Sequence, residues 1–542
     1  MGFYRADNGS VSLGNSYTWT GYSSLFRVSM HMHIPVRHSS HAHSSEALYP
    51  SFSAAENEVF RWANNKKSFT TDQAAKHITR SGSRFHDLNG DGKVVVGFNF
   101  AGGFNAAQKE RARQALQYWA DVANIEFIEN GSNTDGTISI KGTSGSSGRA
   151  GLPNKHYSKV QASIGTSGAQ NPTMGSQFLG LLIHELGHTL GLSHPGEYDG
   201  GGYNYDRSAE YAQDTKARSI MSYWAETHQP GHNFARNSPA APMMDDIAAA
   251  QRLYGANTKT RNTDTTYGFN SNSGREFYSL KQGNDKPIFT VWDGGGNDTL
   301  DFSGFAQNQI INLKAEAFSD VGGLRGNVSI AKGVSVENAI GGSGNDTLTG
   351  NEGNNRLTGG GGADTLHGGA GADTFMYLRA SDSTSQNPDI IQDFQSGIDR
   401  IDLTSVLQEA GLKALSFSDR FSGRAGDAVL GHDSKTGRFT LAVDTTGNGT
   451  ADLMVTSQGQ IKQTDVIWND QTPTVIPAPA PEPATVVPAP EPGPAPIPDP
   501  QPDTEPDPLP TPLPAPRPGG GFIKKVFSSF MGLINRAFSI FS

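Results

Sequence analysis

Residues 341–376 read GGSGNDTLTGNEGNNRLTGGGGADTLHGGAGADTFM, in which one nine-residue pattern occurs four times in succession. In each copy a glycine-rich turn of six residues precedes a short strand with one large apolar residue. The four apolar residues are Leu348, Leu357, Leu366 and Phe375. A flexible glycine-rich linker would not carry an apolar residue at every ninth position. The pattern therefore predicts parallel strands coiled into a β-roll, with these four side chains pointing inward.

The turns of this repeat also offer oxygen ligands at fixed places. Carboxylates are hard ligands that suit Ca²⁺, and three turns contain them, at Asp346, Asp364 and Asp373. Glycines allow the positive φ of tight turns and bring backbone carbonyl groups close to a shared ion. The glycines of these turns are Gly342, Gly344, Gly360, Gly362, Gly369 and Gly371. Because one coil buries little apolar surface, we expect the roll to need calcium for folding.

Sequence on either side of the repeat extends the same prediction. A partial copy, DGGGNDTLDF, starts at Asp293 and adds Gly295 and Asp298, and Glu337 precedes the first full turn. The second copy has Asn355 where aspartate is expected, which leaves that turn a weaker, neutral ligand. From about residue 258 the chain is rich in Gly, Asn, Asp and Thr, which favours assigning 258–470 to the roll.

Residues 56–257 have a mixed α and β pattern instead. One apolar helical stripe consists of Ala112, Ala115, Leu116, Trp119, Val122 and Ala123. TISIKG at 137–142 alternates as a strand does. DLNGDGK at 87–93 resembles the start of an EF-hand loop, but Phe98 stands where the bidentate glutamate is required. A hairpin turn is favoured there over a calcium site.

HELGHTLGLSH at 184–194 lies in a segment with the composition of a helix. His184 and His188 are one turn apart, so their rings project from the same helical face. Gly191 allows the chain to turn back and bring His194 to them as a third nitrogen ligand. Three protein ligands leave a position open for water, which is typical of catalytic Zn²⁺. Glu185 is placed to take a proton from the water that such a metal activates.

The motif H-E-x-x-H-x-x-G-x-x-H, followed by SIMSYW at 219–224, resembles the metzincin metalloproteases. His194-Pro195-Gly196, AEYAQDTKARSIMSYW and MMDDIAAAQRLYGAN are similar to the serralysin family within that clan. The resemblance covers about 67–468 and implies an α+β metzincin-like catalytic domain followed by an all-β parallel β-roll. It implies that Met221 forms a hydrophobic floor below the zinc and that Tyr223 is a ligand of the resting zinc that later stabilises the oxyanion. It also implies calcium near the Arg261 carbonyl and Asp264.

Net charge, cysteine content and the amino-terminal sequence limit the partners and the cellular location that such a chain can have. A net charge of −10 argues against nucleic acid as a partner. The 542 residues include no cysteine, so disulfides cannot stabilise the chain and bound metal is the alternative cross-link. The amino terminus lacks a basic segment followed by an apolar one, which argues against an amino-terminal signal peptide. The family resemblance implies a bacterial extracellular protein exported by type I secretion machinery.

Three further segments differ from the folded parts. Residues 1–55 are polar and rich in Ser and His, and we interpret them as a leader or pro-segment. Residues 471–518 hold twenty of the thirty prolines and favour an extended linker. Residues 519–542 form a basic amphipathic helix on a helical wheel, for which an export signal and a membrane contact both remain open. TDVIW at 464–468 resembles the family's carboxyl-terminal export signal, although here it is internal.

These observations predict a secreted, calcium-dependent zinc endopeptidase that acts on proteins and peptides as a monomer. The alternative is a non-enzymatic, calcium-dependent surface or toxin-like protein, in which the roll serves export and the tail binds membranes. The two interpretations differ in whether Glu185 is needed for biological effect.

Overall fold

The first part of the folded chain alternates helices and strands around one sheet. The computed structural model describes residues 66–154 and 158–469. The predicted leader (1–55), linker (471–518) and tail (519–542) lie outside the described residues. The elements up to Tyr254 are α1 (Thr71–Ile78), β1 (Val95–Phe100), α2 (Ala106–Val122), β2 (Glu126–Glu129), β3 (Gly136–Thr143), β4 (Gly148–Ala150), β5 (Lys159–Gly165), α3 (Gln177–Thr189), α4 (Tyr205–Ser208) and α5 (Met244–Tyr254).

The five strands form a sheet in the order β2-β1-β3-β5-β4. Its neighbours pair in parallel except for β4, which is antiparallel to β5 and forms one edge. Helix α2 starts with a capping box, in which the Asn105 and Gln108 side chains each accept a hydrogen bond from the other's backbone N–H. The predicted apolar stripe of α2 is fully buried, and residues 137–142 lie in β3 as predicted.

The second part consists of many short strands, as the nine-residue repeat predicts. They are β6 (Thr266–Gly268), β7 (Phe289–Val291), β8 (Thr299–Asp301), β9 (Ile310–Asn312), β10 (Phe318–Ser319), β11 (Val328–Ile330), β12 (Asn338–Ile340), β13 (Thr347–Thr349), β14 (Arg356–Thr358), β15 (Thr365–His367), β16 (Thr374–Met376), β17 (Asp389–Ile391), β18 (Arg400–Asp402), β19 (Ser416–Phe417), β20 (Asp427–Asp433), β21 (Arg438–Asp444), β22 (Leu453–Ser457) and β23 (Val466–Ile467), with helix α6 (Thr404–Glu409) after β18.

Successive strands of the repeat fall into two different sheets. The parallel seven-stranded sheet has the order β23-β18-β16-β14-β12-β8-β6, and β9, β13, β15 and β17 lie in the eight-stranded sheet. Two repeats therefore make one full coil, and residues eighteen apart pair, as Leu348 does with Leu366 and Leu357 with Phe375. All four of these side chains have no exposed surface. The inward positions that the sequence predicts are confirmed, and they form the core of a parallel β-roll.

The roll is closed by antiparallel strands and by a last short strand. β20, β21 and β22 pair in antiparallel fashion, and β22 continues the eight-stranded sheet beside β17. β23 pairs in parallel with β18, so residues 464–468 are part of the folded roll. No helix within residues 66–154 and 158–469 is long and apolar enough to cross a membrane.

A buried charge cluster joins the two parts. Asp121, near the end of α2, accepts hydrogen bonds from the guanidinium groups of Arg261 and Arg275. Arg261 also donates twice to the Trp292 carbonyl and lies over the Tyr278 ring. The side chains of Asp121 and Arg261 are only 5% and 7% exposed. Their charges are therefore stabilised by each other and hardly by water.

Candidate metal centre

Helix α3 carries the first two histidines and ends just before the glycine of the motif. The Ser176 side chain caps its start, and the last helical residue is Thr189. Gly191 has φ +101°, and a Cβ there would collide with the Ser83 carbonyl oxygen. The predicted reversal of the chain at Gly191 is therefore present, and it returns His194 to the side of the helix where His184 and His188 lie.

The three imidazoles converge through their Nε2 atoms. The His194 Nε2 lies 3.2 Å from the Nε2 of His184 and 3.0 Å from that of His188. Each Nδ1 lies beside a backbone carbonyl: His184 pairs with Ile220 at 2.9 Å, His188 with Leu192 at 2.7 Å and His194 with Tyr198 at 2.7 Å. Since a carbonyl oxygen only accepts, each Nδ1 carries the proton.

This tautomer leaves three lone pairs facing one another, and a cation is what such an arrangement fits. Burial lowers the pKa of all three histidines, to about 4 for His188 and well below the usual range for His184. Neutral imidazole is the ligand form. Among the described residues, one group of three or more His, Cys, Asp or Glu side chains brings its ligand atoms close together, and it consists of these three histidines. Three nitrogens with room for a further ligand fit Zn²⁺.

Glu185 lies beside this cluster with a buried carboxylate. The residue is 4% exposed, and its Oε2 has no hydrogen-bond partner. Burial raises the pKa of Glu185 to about 8, and the negative charge of Asp199 adds to the shift. Edge strand β4 passes the carboxylate at Gly148, where a Cβ would overlap Oε1. Gly148 carries no signal in the sequence, because its contact with Glu185 arises only in the folded chain.

The segment after Ser219 lies under and beside the histidines. Met221 is fully buried, and its sulfur lies directly against Gly187 of α3, on the helix that presents the first two histidines. The Tyr223 ring is 4.5 Å from the His194 ring and 5.9 Å from the His184 ring, centroid to centroid. Burial raises the pKa of the Tyr223 hydroxyl. The structure therefore places Tyr223 beside His184 and His194, and Met221 against the helix that carries His184 and His188.

Two buried aspartates, which the sequence analysis did not select, bind the residues whose carbonyl groups accept from His184 and His194. Asp246 accepts from the Ile220 N–H at 2.7 Å, and the Ile220 carbonyl fixes His184. Asp214 accepts from the Tyr198 hydroxyl at 2.8 Å and from Ser222 at 2.7 Å, and the Tyr198 carbonyl fixes His194. A signal for both was present, because each is a carboxylate in a segment that carries the family resemblance. Burial raises the pKa of both carboxyl groups to about 6.

In the roll, the predicted calcium turns stack in two columns. Backbone at Gly360 lies against Gly342 and backbone at Gly362 against Gly344, so turns 341–346 and 359–364 are neighbours. Turns 350–355 and 368–373 stack in the same way on the other side, with Gly369 against Asn351 and Gly371 against Gly353.

Positive φ explains only some of the predicted turn glycines. Gly360, Gly362, Gly369 and Gly371 have positive φ, but Gly342 and Gly344 do not. These two are required by close approach, since a Cβ at either would collide with the backbone at Phe305 or Gln307.

Within the described part of the roll, four buried carboxylate oxygens have no hydrogen-bond partner. They are the Oδ2 atoms of Asp298, Asp364, Asp373 and Asp389. Burial raises the pKa of Asp298, Asp364 and Asp373 to about 7 and that of Asp389 to about 8. Asp346 differs, because its oxygens accept from the backbone of Gln309 and Gly342. Oxygen ligands of this kind fit Ca²⁺, with backbone carbonyls to complete the shell.

Asp389 was not predicted, since it lies thirteen residues beyond the last repeat. Its Oδ1 accepts from the Asp364 N–H at 2.8 Å, which places it in the same column as Asp364.

The predicted ligands before the first full repeat also lie together. The Arg261 carbonyl accepts from the Gly294 N–H at 3.3 Å, and Asp264 accepts from the Asn297 N–H at 2.9 Å. Asp293 accepts from the Gly295 N–H at 2.6 Å. Glu337 accepts from the Asp298 N–H at 2.8 Å. Loops 258–264 and 293–298 therefore form one more pair of stacked turns.

In the EF-hand-like loop before β1, the carboxylates accept hydrogen bonds from the backbone of the loop itself. Asp87 accepts from the N–H groups of Gly90 and Gly92, and Asp91 accepts from the Lys93 N–H. The predicted hairpin is wrong, because β1 pairs in parallel with β2 and β3 and has no antiparallel partner across this loop.

Comparison with known proteins covers both parts of the chain. A family model described as metallo-peptidase family M12B reprolysin-like matches residues 113–248, and one described as peptidase M10 serralysin C terminal matches residues 256–468. Metalloprotease AprA of Pseudomonas entomophila (strain L48) is 48% identical over 463 residues, covering 78% of this chain and 95% of the relative. Serralysin C of Dickeya chrysanthemi is 44% identical over 436 residues, with coverages of 74% and 90%. Serralysin of Proteus mirabilis is 42% identical over 452 residues, with coverages of 70% and 88%.

Proposed function

This chain belongs to the serralysin family of zinc metalloproteases, and on that premise we propose that His184, His188 and His194 hold its zinc while Glu185 carries out proton transfer. The observation that carries the proposal is the convergence of three Nε2 atoms whose Nδ1 partners are all backbone carbonyls. A bound zinc ion supplies Lewis-acid activation of water and of the carbonyl group in the peptide bond to be cleaved.

Glu185 is the residue that moves the proton. Its unpartnered carboxylate oxygen is free to accept a proton from the attacking water and to deliver it to the nitrogen of the leaving amine. A cation beside the carboxylate favours its ionised form, which opposes the effect of burial on its pKa. Because Gly148 has no Cβ, strand β4 can pass close to the Glu185 carboxylate without displacing Oε1.

Tyr223 is proposed to assist at the carbonyl that is attacked. Its ring stands beside His194 and His184. A hydroxyl with a raised pKa keeps its proton at neutral pH and can donate a hydrogen bond to an oxygen that becomes negative. As the resemblance implies, the same hydroxyl oxygen would be a ligand of the resting zinc.

We also propose that the roll binds several calcium ions and folds with them. The unpartnered oxygens of Asp298, Asp364 and Asp373 support this, because buried carboxylates without partners are costly unless a cation compensates them. Arg261, Asp264, Asp293 and Glu337 would serve the first stacked turns, and Asp346 with the turn glycines would serve the later ones. Since calcium is scarce inside cells and abundant outside, folding would then follow export.

The proposed place of action is therefore outside the cell, on protein and peptide substrates, after export by type I secretion machinery. Absence of cysteine from the 542 residues agrees with an extracellular protein whose cross-links are metal ions. The tail at 519–542 would serve as the export signal or contact a membrane, and a monomer is proposed.

The deciding experiment replaces Glu185 with glutamine and measures both casein hydrolysis and bound zinc. General acid–base groups contribute about 10²–10⁴-fold to a rate, so Glu185→Gln should lower kcat by at least that order. Zinc content should stay near one per chain, because glutamine leaves the histidines in place. Glu126→Gln is the matched control, since Glu126 is an exposed glutamate of β2.

Full hydrolysis by Glu185→Gln would contradict the assigned role of this residue. Absence of stoichiometric zinc from the active wild-type protein would contradict the metal site itself.

A further inference from the structure

The third histidine lies outside the helix that supports the first two. His184 and His188 belong to α3, whose backbone hydrogen bonds fix their positions. His194 lies beyond the end of the helix, in irregular chain, and its ring has one carbonyl partner, at Tyr198. Some other contact must fix the backbone at His194 if the three nitrogens are to hold their spacing.

The chain that follows α1 provides this contact. The Arg80 guanidinium donates to the His194 carbonyl at 2.7 Å, to the His77 carbonyl at 3.0 Å and to the Gly196 carbonyl at 3.4 Å. Its Nε donates to Glu197 at 2.8 Å. One planar group therefore ties the end of α1 to the segment that contains His194.

Neighbouring contacts hold the same two segments together. The Ser193 N–H donates to the Ile78 carbonyl at 2.8 Å, and Gly191 lies directly against the Ser83 carbonyl. The Arg80 side chain is 28% exposed, so its bonds to the carbonyls are partly shielded from water. Lysine could not reproduce them, because only the guanidinium presents several donors in a fixed fork.

We propose that Arg80 is a positioning residue for the third zinc ligand, fixing the His194 backbone from the end of α1. The inference rests on the proposed function, in which His184, His188 and His194 hold zinc. Loss of a group that orients a metal ligand typically weakens metal affinity by about 10- to 100-fold, and that range is expected for Arg80→Ala.

The test compares four variants of the full chain with wild type, all saturated with calcium. Arg80→Ala removes every bond of the guanidinium, and Arg80→Lys keeps the charge without the fork. Glu197→Ala removes only the exposed ion pair, since Glu197 is 78% exposed. Arg84→Ala is the matched control, because Arg84 donates instead to the Leu253 carbonyl near the end of α5.

Two measurements are made on each: zinc affinity by competition with a chelator, and the visible absorption spectrum of the Co²⁺-substituted protein. Arg80→Ala should bind zinc about 10- to 100-fold more weakly and show an altered Co²⁺ spectrum. Arg80→Lys should have a zinc affinity between those of Arg80→Ala and wild type. If Arg80→Ala does not fold, Arg80→Lys takes its place in the test. Glu197→Ala and Arg84→Ala should match wild type in both measurements.

Wild-type zinc affinity and Co²⁺ spectrum in Arg80→Ala would overturn the inference. Equal weakening in Arg84→Ala would also overturn it, because the effect would then be a general loss of stability. A wild-type protein without stoichiometric zinc would instead refute the proposed function, so the two failures are distinguishable.

Discussion

Asp121 is the residue at which the joint between the α/β part and the roll can be tested. Its carboxylate accepts from Arg275 through two bonds of 2.6 Å and from Arg261 through one of 3.1 Å. Asp121→Asn keeps the shape of the side chain and removes its charge. The two arginines are then left without an anion, although Arg275, 26% exposed, retains some access to water.

Removing one partner of a buried ion pair costs about 3–5 kcal/mol, because the other charge remains buried and unpaired. Since water reaches Arg275 and asparagine still accepts one hydrogen bond, we expect the lower end, about 3 kcal/mol. An exposed pair on the same helix gives the contrast: Arg113, 39% exposed, pairs with Glu110, 58% exposed. Glu110→Gln should cost less than about 1 kcal/mol.

The assay is urea unfolding at fixed, saturating calcium and zinc, followed by tryptophan fluorescence. Trp119 and Trp292 are suitable reporters, since Trp119 lies two residues before Asp121 and the Trp292 carbonyl accepts from Arg261. The free energy of unfolding should fall at least about three times as far for Asp121→Asn as for Glu110→Gln. Equal losses in the two variants would refute the view that this joint is a buried, interdependent charge cluster.

Two further predictions concern the zinc site and the roll. Gly148→Ala should lower kcat for casein by about 10²-fold with zinc content unchanged, because the new Cβ displaces the Glu185 carboxylate. Gly151→Ala is the control and should behave as wild type, since its Cβ would meet nothing within 4 Å. Equal activity of the two variants would contradict this placement of Glu185. A folded roll without calcium would have the pKa values of Asp364 and Asp373 raised to about 7 from 3.8, so it would hold more protons than the unfolded chain between these pH values and would lose stability as pH rises through them. With calcium these carboxylates are ionised in the bound roll, as they are in the unfolded chain above about pH 3.8. The calcium concentration at the folding midpoint, measured by circular dichroism, should therefore be nearly equal at pH 6 and pH 8 and should rise as the pH falls towards 4; a midpoint that does not rise on acidification would argue against these carboxylates as ligands.

The same physical condition underlies both proposed metal sites. At the zinc site three lone pairs face one another, and in the roll single carboxylate oxygens are buried without donors. Either arrangement is unfavourable in the absence of a cation, because polar atoms removed from water must find a partner. We therefore predict that stability and metal binding are coupled in both parts of the molecule.

What the sequence alone determined is local or periodic. A spacing of four residues places His184 and His188 on one face of a helix whatever surrounds it, and Gly191 makes the reversal toward His194 accessible. A nine-residue period with one apolar position defines the coil of the roll, so Leu348 and Phe375 were predicted to be buried before any contact was known. In both cases the geometry of the backbone converts spacing directly into position.

Only the tertiary structure decided which distant residues support these sites. Gly148 meets Glu185, Asp214 holds Tyr198 and Arg80 holds His194 across large separations along the chain, with no periodic spacing to reveal them. Asp389 joins the column of Asp364 from outside the repeat for the same reason. Contacts of this kind depend on how helices, sheet and roll pack together, and a single sequence specifies that packing only through the complete fold.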